Sequence, residues 1–100
     1  MFVFNITYKV EHEIVAEWMQ WQKEIEIPEI IATECFYDFR FYELVIDEED
    51  GRTFATQFFA YSKSDYNRYH EIFYPTIKTR SFEKWKENVV SFSTILKNVE

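Results

Sequence analysis

The order in which hydrophobic periodicities follow one another constrains this chain more than any motif in it. Phe2, Phe4, Ile6, Tyr8 and Val10 alternate with Val3, Asn5, Thr7 and Lys9, the period-two pattern of a strand with one apolar face. Ile14, Trp18, Trp21 and Ile25 then recur at helical spacing, which predicts a helix over 13–26. Glu11, Glu13 and Glu17 favour its N-terminal end, and Pro28 is expected to stop it, with 28–34 a connection that holds at most one helical turn. Alternating stretches over 35–46 and 53–61 flank Asp47-Glu48-Glu49-Asp50-Gly51, a polar hairpin turn in which Gly51 is expected to supply a positive φ. Ser62 and Ser64 are candidate N-caps, with Ser62 and Asp65 at capping-box spacing, for a second helix carrying Tyr66, Tyr69 and Phe73. Pro75 should break or restart that helix before a piece carrying Ile77, Phe82 and Trp85, and Val89–Lys97 reads as a last strand. The order is β-α-β-β-α-β.

That order predicts one α+β domain over residues 1–100: a ferredoxin-like fold with a four-stranded antiparallel sheet and both helices on one face. The other face is left needing a cover. Aromatic residues make up 21% of the chain, more than one small core consumes, so some rings are expected at a subunit interface or around a ligand. A net charge of −7 argues against nucleic acid and anionic membranes, both of which need a positive field. Gly51 is the only glycine, so neither a P-loop nor a dinucleotide-binding turn can be built, and no cofactor is expected. The single cysteine, Cys35, allows no intrachain disulfide, no secretory signal pattern opens the sequence, and no apolar run approaches the ~18 residues of a membrane span. A cytoplasmic location with no membrane partner is the expectation.

Polar residues interrupt the strands at Asn5, Thr7, Asp38, Arg40, Gln57, Ser91 and Ser93, and strand parity assigns them to the face away from the helices, among Val3, Tyr42, Phe59 and Ile95. Amides, small hydroxyls, aromatics and a lone Arg suit either a homodimer interface with a few satisfied polar groups or a partly polar ligand cavity. Arg40 has a candidate partner in Asp38; alternatively it binds a carboxylate or enolate ligand oriented by Asn5 and Gln57. His70 lies beside Tyr66 and Tyr69 on the second helix, where a lone His is more often packed or solvated than catalytic. With His12 the only other imidazole, no metal site is expected. Cys35 reads as a small hydrophobe, and Trp18 and Trp21 as core. The candidate ligand-binding residues are therefore Asn5, Thr7, Arg40, Gln57 and His70, with no catalytic residue assigned.

The element order, the length and the lack of Gly-rich loops resemble the dimeric α+β barrel superfamily, in which two ferredoxin-like sheets pack face to face. More closely, Phe2-Val3-Phe4-Asn5-Ile6-Thr7, Glu17-Trp18 with Trp21, Ile27-Pro28-Glu29, Ala32-Thr33 with Cys35-Phe36, Tyr37-Asp38-Phe39-Arg40-Phe41 and Gln57-Phe58-Phe59-Ala60 are similar to a bacterial family of unknown function of the same length. Relatives often have His where this chain has Glu26, and Gly where it has Glu34. The resemblance implies a homodimer formed through the open sheet face, binding a small organic ligand or acting as a regulatory or interaction module. Its alternative is a cofactor-independent monooxygenase or isomerase on a small aromatic or acidic substrate. A third class shares the element order: Met1-Phe2-Val3-Phe4-Asn5-Ile6 and Arg52-Thr53-Phe54-Ala55-Thr56-Gln57-Phe58-Phe59 partly echo the RNA-recognition motif. Thr56 stands there where a base-stacking aromatic is needed, which with the negative charge disfavours a nucleic-acid partner.

Overall fold

A computed structural model describes residues 1–46 and 49–100. Strands β1 (Phe2–Val10), β2 (Asp38–Glu43), β3 (Arg52–Ala60) and β4 (Val89–Lys97) form one antiparallel sheet in the order β2-β3-β1-β4. Helical segments α1 (Val15–Trp21) and α2 (Ile27–Ala32) follow β1, and α3 (Lys63–Arg68) and α4 (Tyr74–Trp85) follow β3. This is the predicted ferredoxin-like α+β fold, with the first strand and the third at the centre of the sheet.

The helical face of the sheet carries Phe4, Ile6, Tyr8, Phe54, Thr56 and Phe58, all buried. Trp18 packs on it from α1, with ring centroids 5.0 Å from Tyr8 and 4.8 Å from Phe54. Tyr69 packs from the second helical layer, 5.5 Å from Phe4 and 5.0 Å from Phe36. Burying side chains of this size contributes roughly 1.5–3 kcal/mol each, so these rings hold the layers together.

Both helical layers pass through a π-turn, Gln22–Glu26 between α1 and α2 and Tyr69–Phe73 between α3 and α4. Each is followed two residues later by a proline, Pro28 or Pro75, in the first turn of the next helix. Pro28 therefore does not stop the first helix, as its sequence position suggested. A proline lacks an N–H and its ring collides with the carbonyl four residues back; a wider turn just before it opens that space and the chain coils on to Ala32. The widened turn also rotates the buried stripe. Ile25, expected to face inward, is 45% exposed, whereas Trp18, Gln22, Glu26 and Ile30 are buried. Three four-residue steps drift by about 120° round an ideal α-helix, and the extra residue of a π-turn takes back about 100° of that. Pro75 restarts a helix as expected, and Ser62 caps α3 by accepting from the Asp65 N–H at 3.2 Å.

Three further expectations need correction. Cys35–Tyr37 lie outside β2: the chain bends there, Cys35 and Phe36 both enter the core, and strand alternation begins only at Asp38. In β4 the register pairs Ser91 with Tyr8 and Ser93 with Ile6, so the serines and Ile95 lie on the helical face, and Val90, Phe92, Thr94 and Leu96 lie on the open one. The helices leave the β4 edge partly uncovered, so small polar residues are tolerated beneath them. Gly51 does not have a positive φ. It is required by close approach instead, because a Cβ there would collide with the Val10 carbonyl oxygen. The turn residues Asp47 and Glu48 lie outside the described residues.

A positive φ is adopted instead by Lys86, at 53°, and by Glu34, at 62°, where the chain leaves α2. Arg68 donates to the Thr33 and Glu34 carbonyls, at 3.4 and 3.1 Å, and fixes this exit. The position explains the glycine expected in relatives: without a Cβ the left-handed turn after a helix is unstrained. Glu34→Gly should stabilise the fold by about 0.5–1 kcal/mol, and Gly51→Ala should destabilise it by about 1–3 kcal/mol. Urea denaturation of both variants checks the pair; a destabilised Glu34→Gly would show that the side chain, not the backbone, matters there.

Candidate ligand-binding site

A concavity of about 370 Å³ lies between α4 and the helical face of β4. It exists because of the β4 register, which puts Ser91 and Ser93 where larger side chains would fill the gap. Aromatic rings of Tyr69, Tyr74, Phe82 and Trp85 form one wall, and Ile6, Ile30, Ile77 and Val89 contribute aliphatic surface. Cavities of this size, mostly apolar with a few polar groups, suit small organic molecules.

The polar groups centre on Glu26, only 3% exposed and part of the cavity wall. Its Oε2 accepts from Gln22 Nε2 at 2.7 Å and from the Tyr8 hydroxyl at 3.1 Å, and Ser81 from α4 adds a further hydrogen bond. The π-turn brings Gln22 and Glu26 together on the inward side, and the central strand supplies Tyr8. Burial pushes the Glu26 carboxyl above its ordinary 4.5, outweighing the three hydrogen bonds and the more distant Arg80 guanidinium, which pull the other way. Arg80 is itself paired with Glu29. Burial first, and then the Glu26 charge, holds the Tyr8 phenol protonated as a donor. Around Glu26 and the cavity, the Trp85 indole N–H, the Gln22 side-chain oxygen and Arg80 Nε are buried without a hydrogen-bond partner.

The residues singled out from sequence are placed elsewhere. Asn5 and Thr7 lie on the open face, and Asn5, Gln57 and Arg40 form one cross-strand row, with Thr94 at its β4 end. Asn5 donates to Thr7 at 3.4 Å. Arg40 pairs with Asp38 at 2.7 Å and stands over the Phe59 ring at 5.7 Å. The guanidinium holds the Asp38 carboxyl below its usual range. His70 is in the other layer, exposed and stacked on Tyr74 at 5.2 Å, so the structure does not bring it together with the other four. The RNA-motif echo is out of phase: Phe54 and Thr56 face the helices and are buried, leaving no base-stacking pair at those positions. Among the described residues no cluster of three or more His, Cys, Asp or Glu is placed to hold a metal, and no helix is long and apolar enough to cross a membrane.

A family profile described as a domain of unknown function, DUF4286, matches residues 1–99. Comparison with curated proteins gives no match. Solved structures share the fold at low identity. A dimeric ferredoxin-like protein from an uncultured marine organism superposes with a TM-score of 0.73 at 11% identity, over 100% of this chain and 96% of that one. A variant of SnoaB, a cofactor-independent oxygenase from Streptomyces nogalater, gives 0.68 at 11% identity, over 99% and 94%. An ethyl tert-butyl ether d (ethd) family protein from Bacillus halodurans gives 0.68 at 10% identity, over 99% and 100%.

The raised Glu26 pKa has a definite sign. Its contribution to stability is full below the unfolded value near 4.5 and is lost as pH rises through the folded value. Glu26→Gln, which keeps an acceptor for Tyr8 without the charge, should match the parent in melting temperature at pH 4 and exceed it at pH 7. Thermal melts across that range check it; a variant less stable at pH 7 would show that the carboxylate is fully compensated.

Proposed function

The chain belongs to the DUF4286 family, and on that premise we propose that it is a homodimeric small-molecule-binding protein of the bacterial cytoplasm. The observation that carries the binding reading is the 370 Å³ cavity with a buried carboxyl in its wall. A structural module has no need of such an opening, and a buried acid lowers stability unless something uses it.

The dimer reading rests on the open sheet face. Phe92 and Val90 are 64% and 63% exposed there, Tyr42 52% and Leu96 46%, beside Phe59. A cluster of this kind favours a second copy of the chain, as in the neighbour described as dimeric. In that arrangement Asn5, Thr7, Arg40 and Gln57 are the polar groups of the interface, fixing how the two sheets align. The ligand then sits on the opposite side of each sheet, under α4. A reducing compartment accords with Cys35, buried and unpaired.

Native mass spectrometry of the purified protein tests both parts. The expected species is a dimer with a reproducible small added mass. Ser93→Phe should fill the cavity and lose that mass while the dimer survives. Phe92→Asp should give a folded monomer. A parent protein that is monomeric at micromolar concentration overturns the dimer, and an unchanged added mass in Ser93→Phe overturns this cavity as the site.

A further inference from the structure

Building on the cavity as the binding site, we infer that its ligand is an organic cation: a primary or secondary amine on a flat apolar body, with the ammonium group against Glu26. Three features converge on that class. The first is that Glu26 is buried without a cation in contact. Its hydrogen bonds come from Gln22, Tyr8 and Ser81, all neutral, and the one nearby guanidinium, Arg80, is paired with Glu29. A buried carboxylate of this kind is unfavourable alone and strongly favourable once an opposite charge enters with it. The second is the wall beside it. Tyr69, Tyr74, Phe82 and Trp85 line the cavity, and Lys78 and Lys84 already stand over the Tyr74 and Trp85 rings, so this aromatic lining is one that takes cations as well as apolar surface. The third is the whole chain's charge of −7, which draws cations toward it and repels anions.

The lysines of the lining are at the mouth, with a second acid beside them. Lys78, Lys86 and Glu87 are exposed where the cavity meets solvent, and Lys78 Nζ stands over the Tyr74 ring at 5.4 Å. An anionic ligand would have to stay at these lysines with its charge in solvent. An amine passes them to reach Glu26, the carboxylate buried in the wall among the described residues.

The pH dependence follows from the groups that face Glu26 from each side. They are Tyr8 from β1, Tyr69 and Arg80 from the second helical layer, and Glu29 from α2, with Lys78, Lys86 and Glu87 at the rim. Tyr8 and Tyr69 are both pushed up and stay neutral, so Glu26, whose carboxyl is pushed above its ordinary 4.5, is the wall group whose ionisation the pH controls. Amine binding favours its ionised form. Affinity should therefore rise with pH until Glu26 is ionised and fall only where the amine itself loses its proton.

The test uses four probes that share one ring system: indole, tryptamine, tryptophol and indole-3-propionate. Binding is measured by calorimetry and by ligand-observed NMR, on the full chain. The expected order is tryptamine tightest by about tenfold or more, tryptophol and indole similar, indole-3-propionate weakest. The tryptamine advantage should grow from pH 5 to pH 8 and vanish in Glu26→Gln, whose folding is confirmed by its thermal melt. Comparison among probes on the parent protein stands even if that variant fails to fold. If indole enters and tryptamine gains nothing over tryptophol, or indole-3-propionate binds best, the amine is overturned and the cavity reading survives. If none of the four binds, both are overturned.

Discussion

The hydrogen bond from Tyr8 to Glu26 joins the middle of the sheet to the first helical layer at a point where the helix is not regular. Most of what is particular to this molecule follows from it. A regular α-helix through residues 13–32 would turn its inward face away from Glu26 before reaching it; the π-turn restores the phase and sets Gln22 and Glu26 side by side under β1. Burial then raises the acid's pKa, and the acid in turn keeps the Tyr8 phenol a donor. Desolvation is the larger effect on both groups. The pair is therefore a polar anchor whose charge depends on what occupies the adjoining cavity, rather than a fixed ion pair such as Asp38–Arg40 on the surface.

The layout was legible in the sequence because periodicity reports which side of an element is buried. Phe2–Val10, Val89–Lys97 and the helix cap at Ser62 are where period and cap chemistry place them. What was hidden depends on single-residue insertions in that periodicity. Pro28 reads as a stop because proline ends regular helices, and only the wider turn before it lets the chain continue. One extra residue in the helix exchanged an expected inward Ile25 for Glu26, and so concealed the residue at the centre of the candidate site. The signal that pointed to it was indirect: position 26 differs from the His expected in relatives, as position 34 differs from the expected Gly. The structure accounts for the second in full, through the left-handed backbone of Glu34, and places the first in the cavity wall.

The sheet divides its two faces by task. On the helical side, large rings fill the space over β1 and β3 but thin out over β4. On the open side the reverse holds, and the largest exposed apolar groups of the sheet are on β4 and at the β2 edge. Sequence parity alone could not assign those faces for β4, since its two sets, Val90-Phe92-Thr94-Leu96 and Ser91-Ser93-Ile95, both mix polar and apolar residues. Pairing to β1 settles it, because Tyr8 and Ile6 are unambiguously inside.

That same pairing couples the two candidate surfaces. Side chains in a strand alternate with a period of two, so the register of β4 against β1 cannot place serines in the cavity without placing Phe92 and Leu96 on the open face. A slip of one residue would drive Phe92 into the space beside Glu26 and leave serines on the outer face. The cavity would close and the apolar surface that calls for a partner would shrink together. A partner packed on the open face therefore favours the register that keeps the cavity open. Covering one side of the sheet and preserving the opening on the other are, in this fold, a single structural requirement carried by one edge strand.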